Sequence, residues 1–461
     1  MQLATTERVI TQPQQLDGTL IVCSQPCPDL PLVDFLRRTH GQRRIYWENE
    51  RESLTFAGFG AAVDLIANGE ERFEQINTLA ERLFNGAVQA SESDVMPLLF
   101  GGFAFRDDFV AQVVWEGMHA AHFVLPGVML RRDGDQSHLI LSEYLPAGTD
   151  VDAARQEIKA RFEMLFDDLF WNFAGDVWNP EWEEASDIEY PMSYDAWERM
   201  ITNATTQMKR GNLDKVVLSR MCQIRFSNPV NVVRALEYLR GAYGSSYRFL
   251  FEPQPNNAFY GATPETLVKV QGRDVYADAL AGTIRRGETA EEDGLLAQQI
   301  LSDPKERREH DLVVQGLRQH LATYVDTLHA DDEPGILQLS NVQHLHTPVS
   351  GQLKDDYGIL KMVEALHPTP ALGGSPRAVA ELLISDLEPI TRGWYAAPIG
   401  WLDHERNGHF GVGIRAAVSR KGTLWCYAGG GVVAESEPER EWRETDLKFR
   451  PMLNAVGIQT R

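Results

Sequence analysis

Short apolar runs alternate with turn residues along this chain, and no regular strand–helix–strand beat connects them. Arg44-Ile45-Tyr46-Trp47 and Ser137-His138-Leu139-Ile140-Leu141-Ser142 have the alternation of half-buried strands, and Arg132-Asp133-Gly134-Asp135 is a hairpin turn. Further strands are predicted at Lys215–Arg220, Tyr247–Glu252, Leu267–Val270, His409–Val418 and Thr423–Ala428. Helices are predicted over Glu70–Phe84, Ser193–Arg210, Pro304–His329 and Glu437–Val456; the second is capped by Ser193 and carries Ala196, Met200, Ile201, Ala204 and Met208 on one side. Hairpins mixed with separate helices point to an α+β fold built on antiparallel sheet.

The length of 461 residues permits one large domain or a few small ones. A polar stretch from Pro180 to Pro191 reads as a connection, dividing a portion over 1–185 from a core over 190–455. A net charge of −22, from 66 acidic and 44 basic residues, excludes a nucleic-acid binder, which needs clustered cations. It leaves room for an anionic metabolite gripped by a few buried cations. The start, Met1 to Arg8, lacks the pattern of a signal peptide, and no apolar run reaches the roughly 18–20 residues of a membrane span. Cys23, Cys27, Cys222 and Cys426 form no zinc pattern and read as reduced structural thiols, so a cytoplasmic protein without membrane contact is expected.

Two acidic helix starts carry the first chemical signal. In Asp303-Pro304-Lys305-Glu306-Arg307-Arg308-Glu309, Asp303 suits the N-cap, Pro304 the first turn, and Glu306 the far corner of a capping box; Ser436 and Glu439 suggest the same box ahead of Glu441 and Glu444. The spacing puts Glu306 with Glu309 on one helix face and Glu441 with Glu444 on another. Such residues can be mere solvated caps. Two facing pairs without cysteine instead suit a hard cation such as Mg²⁺, which takes one or two carboxylates, waters and an anionic substrate group. Glycines at Gly282 and Gly429, Gly430 and Gly431 can serve as tight turns or let backbone amides approach an anion. Lys215, Arg415 and Lys448 lie on apolar elements, where they either snorkel or bind a dicarboxylate.

Seven segments then fall in one order: Asp214 to Arg220, Thr263 to Leu267, Ala281 to Thr283, Ser302 to His310, Leu366 to Leu372, Arg392 to Tyr395, and Gly429 to Glu444. In order and spacing they resemble the chorismate-utilising enzymes, a family that includes isochorismate, salicylate, anthranilate and aminodeoxychorismate synthases. The match covers roughly residues 190 to 455, while residues 1–185 resemble the family's variable amino-terminal portion. The resemblance implies an antiparallel sandwich core flanked by helices, with chorismate as substrate.

It also implies residue roles. Glu309 and Glu444 would bind Mg²⁺, supported by Glu306 and Glu441. Arg415, Lys448 and the Gly429–Gly431 backbone would grip one carboxylate, and Gly282, Thr283, His344, Ala371 and Tyr395 would line the pocket. Family members that install nitrogen carry Gln where this chain has Lys215, so the resemblance implies water as nucleophile, Lys215 as base and no glutaminase partner. Glu265 would be the acid. Those roles require an uncharged lysine and a protonated glutamate, states that burial favours in both, and neighbouring cations are expected to favour the former. The segment His367 to Leu372 is similar to that of isochorismate synthases, and the long amino-terminal portion leans toward the menaquinone branch rather than the siderophore branch. Salicylate synthase, and a non-catalytic scaffold that kept the fold, stand as alternatives.

Overall fold

A computed structural model describes residues 8–172 and 184–459. The first seven residues and positions 180–183 of the connecting stretch lie outside the described residues. The alternating runs build two large sheets, one of 11 strands and one of 13, in which nearly all neighbours are antiparallel. Both sheets draw strands from both ends of the chain. In the larger sheet, Arg44–Glu48 pairs with Tyr247–Gln254; in the smaller, Leu99–Phe103 pairs with Pro398–Leu402.

Trp47, Phe56, Phe249 and Phe251 of the larger sheet share one core with Phe100, Phe103, Leu267 and Phe410 of the smaller. The Trp47 and Phe100 rings lie 6.0 Å apart across the interface. Each such side chain contributes about 1.5–3 kcal/mol of burial, which fixes the spacing of the layers. Helices Leu32–Arg38, Val151–Phe170, Val232–Ala242 and Pro438–Ala455 close a second core on the outer face of the 13-stranded sheet. Arg72–Phe84, Pro304–Leu321 and Ile359–Leu366 cover the other sheet. The architecture is α+β. Among the described residues no helix is long and apolar enough to cross a membrane.

Most elements fall where the sequence places them, including the Asp133-Gly134 hairpin, with Gly134 at φ 58°, and the Ser193-capped helix Tyr194–Lys209. Three expectations need correction. The predicted helix Pro304–His329 ends at Leu321, and Val325–Ala330 is a strand paired with Val342–Leu353. Glu306 does not close a capping box, because its carboxylate accepts from the Thr283 N–H and from Arg440; Ser436 is not an N-cap, because its hydroxyl accepts from the Val433 N–H. The run His409–Val418 is two strands, Gly408–Val412 in the smaller sheet and Ala416–Arg420 in the larger, and the break between them helps to build the site.

Candidate active site

The chain passes from one sheet to the other at two places that matter for chemistry. Strand Asn257–Thr263 belongs to the larger sheet and Thr266–Gln271 to the smaller, so Pro264 and Glu265 form the crossing. Gly413 to Arg415 form the second crossing, where Arg415 takes a φ of 48°. Such positive φ is costly for a side-chain-bearing residue and persists only where the surroundings enforce it. Both crossings deliver an ionisable side chain into the gap between the sheets. The cavity there is lined by Glu265, Gly282, Thr283, Glu309, His344, Ala371, Tyr395, Arg415, Gly429, Gly431 and Lys448, which brings together most of the residues singled out in the sequence. Lys215 is fully buried beside it, and its Nζ lies 3.0 Å from Glu309 Oε1.

Burial pushes the Glu265 carboxyl up to about 8; Asp278 adds to the rise, and Lys215, Arg415 and Lys448 oppose it. This carboxyl is therefore mostly protonated at neutral pH. Arg415 is 8% exposed, and among the described residues no carboxylate pairs with it. Its contact is His344, whose Nε2 lies 3.5 Å from the guanidinium. Because His344 Nδ1 faces the Gly282 carbonyl at 3.0 Å, the ring must carry its proton there and offer a lone pair to Arg415. Burial, then Arg415 and Lys448, hold the imidazole down at about 3, so it stays neutral. A buried cation without a carboxylate is costly, and an anionic ligand is the natural partner.

The four acidic residues do converge. Glu306, Glu309 and Glu441 surround the Nζ of Lys305 at 3.2, 3.8 and 3.2 Å, and Glu444 pairs with Lys448 at 2.6 Å. Burial raises Glu441 to about 7, while Lys448 and Lys305 outweigh burial at Glu444 and hold it at about 2. Among the described residues no three carboxylate or imidazole groups form a ready-made metal cage. The donor set still fits Mg²⁺. It is all oxygen, the Glu441 carboxylate is fully buried, and the cluster already draws a cation into its middle.

Two expectations change here. The glycines sit in strands, not turns: Gly429, Gly430 and Gly431 pair with Ser219, Leu218 and Val217, and Gly282 forms a bulge at φ 76°. Their use is room, since a Cβ on Gly431 would stand 1.9 Å from Glu309 Oε1. The expected cations around Lys215 are likewise not its contact; the Glu309 carboxylate is.

The sequence pattern of the chorismate binding enzyme family matches residues 6–457. The chain belongs to that family. It is 34% identical over 444 residues to isochorismate synthase MenF of Bacillus subtilis, covering 94% of this chain and 92% of that protein. It is 35% identical over 459 residues to the salicylate biosynthesis isochorismate synthase of Pseudomonas aeruginosa, covering 98% and 94%. The solved structure of the menaquinone-specific isochorismate synthase MenF of Escherichia coli superposes with a TM-score of 0.78 at 25% identity, over 96% of this chain and 95% of that one.

Around this site Lys305 and Glu388 carry no signal of their own in the sequence, and Arg392 stands out only as the first residue of the segment Arg392 to Tyr395. Lys305 stands one position before Glu306, where an ordinary helix surface is the default. Glu388 and Arg392 form a buried pair at 2.6 Å, 2% and 3% exposed. Glu388 accepts from the Ser219 N–H and hydroxyl, Arg392 donates to the Leu372 and Val217 carbonyls, and its guanidinium stacks 4.4 Å over Phe105. The pair thus joins the Lys215 strand to the Ala371-Leu372 wall of the cavity. Glu388→Gln is expected to cost about 3–5 kcal/mol in urea unfolding, because it strands a buried guanidinium. A loss below about 1 kcal/mol would show that water, not Glu388, satisfies Arg392.

Proposed function

We propose that this chain is an isochorismate synthase, adding water to C2 of chorismate and expelling the C4 hydroxyl. One observation carries the reading: a carboxyl biased toward its neutral form and a guanidinium that no carboxylate pairs with among the described residues face the same cavity. A neutral carboxylic acid can donate a proton to a leaving hydroxyl, and a buried arginine can fix a substrate carboxylate bidentately. Lys215 takes a proton from the water as its oxygen bonds to C2. The ring double bonds shift, the C4–O bond breaks, and Glu265 delivers a proton to the departing oxygen. Arg415 and Lys448 hold the enolpyruvyl carboxylate; Gly282, Thr283, His344, Ala371 and Tyr395 shape the remainder.

Glu309 and Glu444 would hold Mg²⁺, with Glu306 and Glu441 supporting, and the bound metal would anchor the ring carboxylate and orient the ring. Lys448 pairs with Glu444 and donates to the Gly429 carbonyl, contacts for which an entering substrate carboxylate would compete. No glutaminase is required, and the reaction belongs to the cytoplasm. Similarity to the menaquinone-specific enzyme favours menaquinone synthesis as the destination, with salicylate synthesis the competing one.

Incubation with chorismate and Mg²⁺ tests the assignment. A product isomeric with chorismate and distinct in ultraviolet absorbance supports it; salicylate, identified by its mass after loss of the enolpyruvyl chain, identifies a salicylate synthase, and anthranilate formed when an ammonium salt is added identifies an amine-installing one. Excess chelator should abolish turnover, and Mg²⁺ should restore it. Full activity in chelator removes the metal from the mechanism.

Chorismate affinity should also depend on pH. Below about 8 Glu265 is neutral and does not repel the dianion; above it the carboxylate does. The dissociation constant measured by calorimetry is therefore expected to rise as pH passes upward through about 8, and to lose that step in Glu265→Gln. A wild-type affinity flat across that range would contradict the neutral carboxyl.

A further inference from the structure

Glu265 does not stand alone at its crossing. The Thr266 N–H, one residue on, donates to Asp278 Oδ2 at 3.3 Å, and the other oxygen of Asp278 lies 2.8 Å from His346 Nε2. Asp278 sits on strand Asp274–Arg285, which runs beside Thr266–Gln271 on one side and beside Val342–Leu353, the strand of His346, on the other. The strands on both sides of Asp278 thus each supply one contact to its carboxylate, and one of those contacts is the backbone that presents Glu265.

We propose that Asp278 is a positioning residue for the general acid: its bond to the Thr266 amide fixes the peptide that presents Glu265 and sets a carboxylate against that peptide. The inference rests on the reading of Glu265 as the acid. The groups facing Glu265 are Lys215 from the strand Lys215–Arg225, Arg415 at the second crossing, Lys448 from the helix Pro438–Ala455, and Asp278. The three basic residues favour its ionised form and Asp278 opposes them; Glu309, His344 and Tyr395 line the same cavity. After burial, Asp278 is the largest influence raising Glu265. In the absence of Asp278 the cations placed to bind a carboxylate, Arg415 and Lys448, would favour loss of the proton from the acid. Asp278 itself is faced by His346, by Tyr247 and His409 from neighbouring strands, and by Glu265; Glu52 and Lys269 pair with each other at 2.7 Å close by. Its side chain is 27% exposed and that of His346 26%, so solvent softens the effect without abolishing it.

Asp278→Asn keeps the shape and an acceptor for the Thr266 amide but removes the charge. The test is the titration of Glu265 followed by carbon-13 NMR of glutamate carboxyls, with Glu265→Gln identifying the resonance, in the magnesium-loaded enzyme. The midpoint is expected to fall by about one pH unit in Asp278→Asn, the size typical of removing one nearby like charge. The pH at which chorismate affinity breaks should fall with it. Asp278→Ser, which also removes the charge, should move both in the same direction and guards against a folding defect in the first variant. An unchanged midpoint in a folded variant overturns the role of Asp278. Near-normal turnover in Glu265→Gln would instead overturn the acid assignment, and the NMR midpoint would still report whether Asp278 governs that carboxyl.

Discussion

Glu265→Gln is expected to lower the forward and reverse rates by the same factor, about 10²–10⁴, the range that general acid–base catalysis supplies. The two factors must agree because one transition state serves both directions and a substitution cannot alter the equilibrium between free substrate and product. The glutamine is nearly isosteric and cannot deliver the proton. The cavity should therefore keep its shape: Glu265 touches the scaffold through its main chain, with its carbonyl accepting from the Val412 N–H and its N–H facing Thr263 Oγ1. Chorismate affinity at neutral pH should change little, since Arg415 and Lys448 still line the pocket. Rates in both directions and calorimetric binding decide the matter. Near-normal turnover in either direction would leave water or another group as the proton source.

Lys215→Gln is the second large effect. The lysine is fully buried, its nearest charged partner is Glu309, and its strand carries the residues facing Gly429–Gly431. Replacing the amine with an amide removes the one base placed to take the proton of water, so hydration should fall by about 10²–10⁴ or more. Removing the amino group also leaves Glu309 with Lys305 at 3.8 Å as its remaining basic neighbour. The variant is therefore expected to depend more strongly on Mg²⁺ for thermal stability than the parent does. Loss of hydration with retained chorismate binding supports the assignment. Hydration at the parent rate would show that Lys215 serves only as the counter-ion of Glu309.

The carboxylates were legible because their spacing is local. Positions i and i+3 on a capped helix face the same way whatever the fold, so the sequence suffices to pair Glu306 with Glu309 and Glu441 with Glu444. Lys215, Glu265 and the ordered segments were legible through family resemblance. What stayed hidden depends on tertiary pairing. Val313, Leu317, Leu321, Val325 and Leu328 continue a helical rhythm, yet strand Val342–Leu353 captures the last two into a sheet, and no local signal announces that partner. The run His409–Val418 reads as one strand because its break comes from a change of sheet at Gly413–Arg415. The Glu388–Arg392 pair, the Asp278–His346 pair and the place of Lys305 among carboxylates all join segments distant in sequence or depend on which way a helix faces. Of the two readings of the glycines, the tight turn fails: Gly429, Gly430 and Gly431 lie within a strand, which the local pattern does not announce.

The most direct test is the source of oxygen in the product. Chorismate should be converted in water enriched in oxygen-18, quenched early, and the product analysed by mass spectrometry with fragmentation or NMR to place the label. Attack of water at C2 with loss of the C4 hydroxyl predicts an isomer of chorismate carrying one heavy oxygen, at C2, with remaining chorismate gaining label at C4 only as the reverse reaction runs. An isomer formed without label would mean that the hydroxyl migrates within the molecule, and water activation by Lys215 and proton delivery by Glu265 would both fall.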